Sequence, residues 1–382
     1  MQLPYSDELN IGYLSKLFDK TTNCYKFFWF QAILRKMDGM HCSFTFDELI
    51  NEMIADAWYM VTEYHLRLGP IGITDNLEEV VKYIHTNYGF PSAEKRDKIL
   101  AFLKNTDDTE ILKHKSKLTQ HVPYRLQSPF YDEIHINQKL WNKAGQELIN
   151  EINEQRRLIY YFSGACDLKT EIRVSGLWAE YLWQHKEILK GWTQLHLINY
   201  LQKKNPSVPG IADKIERQEH RDSIERVRKY WKLIIQIDPT LKDIYGKVTL
   251  AQLDESISID HFVPWQYVAH DELWNLHPTK KSINSSKSNS LPSWKDYFTP
   301  LGELEYKAYE LKNSNELVAE EFDKIAAYHL NNQEVRSQLY EDDLKKEDFI
   351  IRLDHVIKPV YESAQMSGFQ EWVYKGEKSC GR

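Results

Sequence analysis

The sequence predicts a mainly α fold carrying one small β-containing insert. Apolar residues recur at helical spacing through most of the 382 residues. Short, alternating, β-branched segments gather just after Asp238-Pro239. Glycine (15) and proline (13) are both below average usage, which suits long helices joined by plain loops.

The helical pattern begins with Thr45-Phe-Asp-Glu48. This has the form of a capping box, in which a hydroxyl and a carboxylate satisfy reciprocal orphan amides. Behind it Leu49, Ile50, Met53, Ala57, Met60, Val61 and Tyr64 make one apolar stripe. Leu140, Ala144, Leu148 and Ile152 repeat the pattern after the proline-containing stretch 122–129. Trp178, Tyr181, Leu182, His185 and Leu189 do so again. Asn205-Pro-Ser-Val-Pro-Gly210 breaks the run, and a further helix is expected over 211–236. Residues 247–250 and 256–260 favour strands, and 282–293 is a polar stretch closed by Pro292. Helical spacing returns with Leu301, Leu304, Ala308 and Leu311, then Val318, Phe322, Ile325 and Leu330. The expected organisation is therefore a helical region 1–238, a small insert 239–300 and a helical region 301–382.

Composition narrows the function classes. Apolar residues at 42% and aromatics at 13% exclude a disordered chain. A net charge of −7 excludes a uniformly basic nucleic-acid coat, but local clusters decide phosphate binding. Residues 301–382 hold 17 acidic and 11 basic side chains, which makes this region the acidic one. Residues 277–295 carry Lys280, Lys281, Lys287 and Lys295 with no acid. The seven bases and four acids of 214–232 read first as a solvated helix face, as do Arg156-Arg157. Cys24, Cys42, Cys166 and Cys380 form no C-x-x-C pair, so free thiols of a reducing compartment are expected rather than a structural zinc site. No apolar run approaches the length of a membrane span, and the N-terminal residues lack a signal-peptide pattern. A soluble, cytoplasmic protein without a membrane partner is expected.

The chemistry gathers in Ile259-Asp-His-Phe-Val-Pro-Trp265, Leu273-Trp-Asn-Leu276 and Ile283-Asn-Ser-Ser-Lys-Ser288. Phosphodiester hydrolysis needs a group that deprotonates water and a cation that offsets charge on the phosphate. Histidine titrates near neutrality, and hard oxygen ligands suit magnesium or manganese. Asp260 and His261 adjoin at the end of an expected strand, where successive side chains point to opposite faces, with Pro264 closing it. Asn275 and Asn284 bracket what reads as an irregular loop, and an amide there can brace backbone or offer its oxygen to a metal. Trp265 and Trp274 read as core, and His270 and His277 as packing or solvent-facing groups.

Asp-His-x-x-Pro, an Asn fifteen residues after the Asp, and Asn-x-x-Lys nine residues later together resemble the HNH nuclease motif. The pattern is similar to the HNH domain of RNA-guided CRISPR nucleases, where the third position is likewise Asn. The resemblance covers about 40 residues and implies two strands and a helix around one divalent ion, Mg2+ or Mn2+. It further implies Asp260 and Asn284 as metal ligands, His261 as general base, Asn275 as the brace of the histidine loop, and Lys287 near the phosphates. The cysteine pairs that staple many HNH domains with zinc are absent, so packing against the helical flanks must hold this one.

The function this implies is metal-dependent cleavage of nucleic acid, double-stranded DNA first. The protein would serve as a restriction or phage-defence effector, either free-standing or activated by a protein partner or complex, with the region 1–238 as sensor, partner-binding or nucleic-acid-binding part. The alternatives are cleavage of RNA, and a catalytically silent HNH fold that binds or scaffolds within a larger complex.

Overall fold

The computed structural model describes residues 2–131, 145–154, 158–216, 223–253 and 256–376. Leu140, Ala144, Arg156, Arg157 and Cys380 lie outside the described residues. The chain divides into two compact units, one of Met1–Pro206 with Ile215–Arg217, the other of Ser207–Lys214 with Gln218–Arg382. These limits fall elsewhere than the expected boundaries at 238 and 300. The helix Glu225–Ile237 and the acidic C-terminal helices belong to the same unit as the insert.

The first unit is built on helices, Tyr25–Lys36, Phe46–Thr62, Asn76–Tyr88 and Lys186–Lys204 among them. The capping box forms as expected. Glu48 N–H donates to Thr45 Oγ1 at 3.1 Å, and Thr45 N–H donates to the Glu48 carboxylate at 2.9 Å. The stripe behind it, from Leu49 to Val61, is buried. Within this core Glu52 and Asp56 are neutralised by Arg35 and Arg96, because buried carboxylates require partners. A small antiparallel sheet also occurs here, β1 (Ser43–Thr45), β2 (Tyr160–Ser163) and β3 (Glu171–Val174), with β3 central. The region is mostly helical as expected, and these three strands, of four residues or fewer, give too brief an alternation to stand out in the sequence.

The second unit centres on an antiparallel pair, β4 (Ile257–His261) and β5 (Leu276–Lys280). The register sets Asp260 opposite His277 and His261 opposite Leu276. Pro278 is tolerated in β5 because a two-stranded sheet leaves each strand an unpaired edge. The helix Lys281–Lys287 follows at once, so the expected irregular loop between Asn275 and Asn284 is instead a strand and a helix. The expected strand at 247–250 is also corrected. Lys247 has φ +54° and Leu250–Gln252 is a 3-10 turn, which leaves Thr249 a single bridge to Lys242.

Helices close around this pair. Trp231, from Glu225–Ile237, is buried and donates its indole N–H to the Leu276 carbonyl at 3.0 Å. Trp294–Ser314, Glu316–His329 and Lys346–Met366 follow. The chain returns to pair β6 (Leu291–Pro292) in parallel with β7 (Glu371–Trp372). Among the described residues no helix is long and apolar enough to cross a membrane.

Thr45→Ala should cost about 1 kcal/mol, since it strands an N-terminal amide of the helix Phe46–Thr62. Urea unfolding followed by circular dichroism measures it, and an unchanged midpoint would remove the cap from the account.

Candidate functional site

Asp260 and His261 are the last two residues of β4, and strand alternation sends them different ways. Asp260 points inward and is only 4% exposed. Tyr245 donates its hydroxyl to Oδ2 at 2.8 Å, Lys287 donates from Nζ to Oδ1 at 3.2 Å, and His277 Nε2 lies 3.7 Å from Oδ2. Burial and the Asp260 charge push the Tyr245 phenol well above its ordinary range, so it remains a donor. Tyr245 is presented by a loop wound around Asp243, whose carboxylate accepts from the amides of Tyr245, Gly246 and Lys280 at 2.7, 2.8 and 3.0 Å, and from the Thr279 hydroxyl. The loop runs close to the following helix at Gly246, where a β-carbon would come 2.8 Å from Ile283 Cδ1 and displace the end of that side chain.

His261 is partly exposed, and its Nε2 lies 2.7 Å from Asp271 Oδ1. Asn275 is fully buried and grips the backbone just beyond the histidine. Its Oδ1 accepts from Val263 N–H at 2.7 Å, and its Nδ2 donates to the Val263 carbonyl at 2.9 Å. Asn275 therefore braces the backbone at Val263 and does not line the cleft beside His261. Asn284, on the helix Lys281–Lys287, donates Nδ2 to Ser258 Oγ at 2.9 Å and to the Ile259 carbonyl at 3.1 Å. A carbonyl can only accept, so this contact fixes which end of the amide is nitrogen and leaves Oδ1 as the end able to serve a cation.

Lys287 departs from the expectation. It is 1% exposed, and its ammonium donates to the His261 carbonyl at 2.8 Å as well as to Asp260. Burial pulls its pKa down, against the opposing pull of Asp260. The correction is that Lys287 neutralises Asp260 and ties the helix to β4 instead of standing out toward phosphate. Trp265 and Trp274 are buried, as expected of core residues, and His277 is packed against the rings of Tyr245 and Phe262.

Asp260, His261, Asp271, Asn284 and Gln266 line one cleft of about 460 Å³. A larger cleft of about 740 Å³ opens in the first unit, but its lining (Glu8, Asn10, Tyr161, Trp178) sets no base beside a carboxylate. The smaller cleft is the one that sets an imidazole beside carboxylates. Among the described residues no group of three or more His, Cys, Asp or Glu is placed to enclose a metal ion. The donors present are a carboxylate oxygen and an amide oxygen. Asp260 keeps acceptor capacity, since each of its oxygens receives one hydrogen bond and carries two lone pairs. That set fits a hard divalent ion that takes its other ligands from water and substrate, and does not fit a closed structural zinc site.

Two strands and a helix bring an imidazole, a carboxylate and an amide oxygen to one cleft. Residues 245–293 match the HNH endonuclease family, and the chain is identified as a carrier of an HNH endonuclease domain. Nucleases of this family generally use a divalent metal ion, and their ligands are nucleic acids. No curated protein and no solved structure matches the chain.

Sequence reasoning missed Asp271, Tyr245 and Asp243. Asp271 and Tyr245 reach the site from loops at no motif spacing, so only the fold brings them there.

Asn275→Ala should leave the Val263 amide and carbonyl buried without partners and destabilise the protein by about 2–3 kcal/mol, measured by denaturant unfolding; a loss under half of that would argue against the brace. The His277 ring gives a pH effect. Burial pushes its pKa down to about 4 from the usual 6.5, so between those values the unfolded chain binds a proton that the folded one does not. Stability therefore falls as pH drops from about 6.5 to about 4, and His277→Phe should flatten that fall in melting temperature.

Proposed function

We propose that this protein is a metal-dependent endonuclease that hydrolyses phosphodiester bonds of DNA, with His261 as its general base. The observation that carries the reading is a juxtaposition. His261 adjoins Asp260 at the end of β4, and across the same cleft stands the Asn284 amide, with its nitrogen tied down and its oxygen left over. Asp260 and Asn284 would hold Mg2+ or Mn2+, which takes few protein ligands and keeps sites for water and phosphate. A divalent ion bound there supplies the positive charge that offsets the crowded phosphate oxygens and the departing 3′ oxygen.

The chain's own residues do the rest. His261 takes a proton from water as the oxygen attacks phosphorus in line. The P–O3′ bond breaks, and the products carry 5′ phosphates. Asn275 keeps the backbone beside the histidine fixed, and Lys287 holds Asp260 from behind. Lys281 is exposed at the start of the helix that carries Asn284, and suits contact with a phosphate. Arg226, Arg228, Lys229 and Lys232 on the helix Glu225–Ile237 add positive charge in the same unit, which favours a duplex with its dense phosphate charge. The role this suits is a restriction or phage-defence effector, either free-standing or activated by a partner complex.

His261→Ala should abolish cleavage, a loss of at least 100-fold on the scale of general-base catalysis, while the melting temperature stays within a few degrees. A plasmid-nicking assay with magnesium, run beside single-stranded DNA and RNA, measures it. Equal activity of the variant would overturn the assignment, and cleavage of RNA alone would move the substrate. Metal-dependent stabilisation with no cleavage, even alongside a candidate partner, would mark a silent HNH fold.

A further inference from the structure

The reading above uses His261 but leaves Asp271, whose carboxylate meets the same ring at 2.7 Å, without a task. A base must present a lone pair to water, and an imidazole has two nitrogens that compete for that role. A carboxylate is an acceptor only, so the contact places the ring proton on Nε2 and leaves Nδ1 as the basic nitrogen. It also fixes the ring's rotation, and its negative charge offsets the positive charge that the ring gains when it takes a proton.

Asp271 is itself held firmly, and from the C-terminal helices. Where the helix Glu316–His329 ends, His329 Nδ1 lies 2.7 Å from the Asp271 carbonyl oxygen. Two residues on, Asn331 donates its backbone amide at 3.1 Å and its side-chain Nδ2 at 2.9 Å to the buried carboxylate of Glu272. On the other side the Asn275 amide donates to the Glu272 carbonyl at 3.0 Å. Two adjacent residues are thus held by polar contacts from both sides, most of them from His329 and Asn331, almost sixty positions away. A surface ion pair of no consequence would not need its backbone fixed from both sides, because long side chains in solvent gain little from a single geometry.

We propose that Asp271 is the positioning residue of the general base, holding His261 with Nε2 protonated and Nδ1 turned to the cleft, and that the turn at 329–331 clamps Asp271 in place. The acidic C-terminal helices are then a working part of the catalytic site. This rests on the reading of His261 as the base.

The test compares the full-length protein with Asp271→Asn, Asp271→Glu and Asn331→Ala. An amide at 271 can donate to Nε2 as well as accept from it, so it no longer selects the tautomer. Asp271→Asn should lower kcat on plasmid DNA with magnesium about 100-fold with KM unchanged. Asp271→Glu should recover part of that loss, and Asn331→Ala should lower kcat several-fold in the same manner. A fall in melting temperature matched by a rise in KM would point to a structural role and overturn the proposal, as would full activity of Asp271→Asn. A second readout is independent of turnover. Nitrogen-15 spectra of the histidine rings, with His261 assigned through His261→Gln, should show Nε2 protonated in the wild type and a mixture or the other tautomer in Asp271→Asn. An unprotonated Nε2 in the wild type defeats the proposal even if DNA is cut. A wild type that cuts no nucleic acid but shows the expected tautomer defeats the nuclease reading and leaves the pairing intact.

Discussion

Burial of the Asp260 carboxylate is the constraint around which the second unit is arranged. An ionised carboxylate removed from water at this depth must be compensated by an opposite charge and by hydrogen bonds. Lys287 supplies the opposing charge and Tyr245 a neutral hydrogen bond, while the His277 ring, held uncharged by burial, fills the space opposite. Each solution also fixes geometry. Lys287 binds the helix Lys281–Lys287 to β4 through Asp260 and the His261 carbonyl, which sets the height at which Asn284 meets Ile259. Tyr245 requires the loop around Asp243, and that loop passes close to Ile283 at Gly246. Buried ion pairs are poor sources of stability, because desolvation offsets most of the attraction. Here the pair is better understood as a device that fixes position.

The helices of this unit do what metal-bound cysteines do in stapled relatives of the fold. A hairpin and a seven-residue helix bury too little apolar surface to stand alone. Tyr245 packs against Tyr297 and Trp372, at ring distances of 5.0 and 5.3 Å, so the last strand of the chain supports the residue that holds Asp260. Phe262, next to His261, meets Trp294 and Tyr361 from two C-terminal helices. Tyr267 donates its hydroxyl to Ser363, and the buried Lys214 donates to the Tyr267 carbonyl at 2.7 Å. The acidic side chains of residues 301–376, the buried Glu305 apart, thus lie mostly on the solvent side of helices whose other side packs around β4 and β5. Their charge says little about their task.

The division of labour among the four motif side chains follows from burial. Asn275 and Lys287 are inside and act on backbone and on Asp260. His261 and Asn284 are partly exposed at the cleft and can meet substrate or ion. With Asp260 they stand within 28 residues of sequence, yet other groups of the site come from farther away, Tyr245 from the preceding loop and His329 and Asn331, which hold Asp271 and Glu272, from the end of the helix Glu316–His329.

The sequence by itself determined the mainly helical class, the capping box at Thr45, the strand that ends in Asp260 and His261, and the family to which residues 245–293 belong. These are local properties, carried by side-chain period, by hydrogen bonds three residues apart, and by the fixed spacing of the motif residues along two strands and a helix. Tertiary structure alone decided that Lys287 turns inward and that Asp271 meets His261. It also decided that the unit boundary precedes the helix at 225 instead of following it. Those outcomes depend on which groups are removed from water together, and that is set by contacts between residues tens of positions apart, for which spacing along the chain gives no rule.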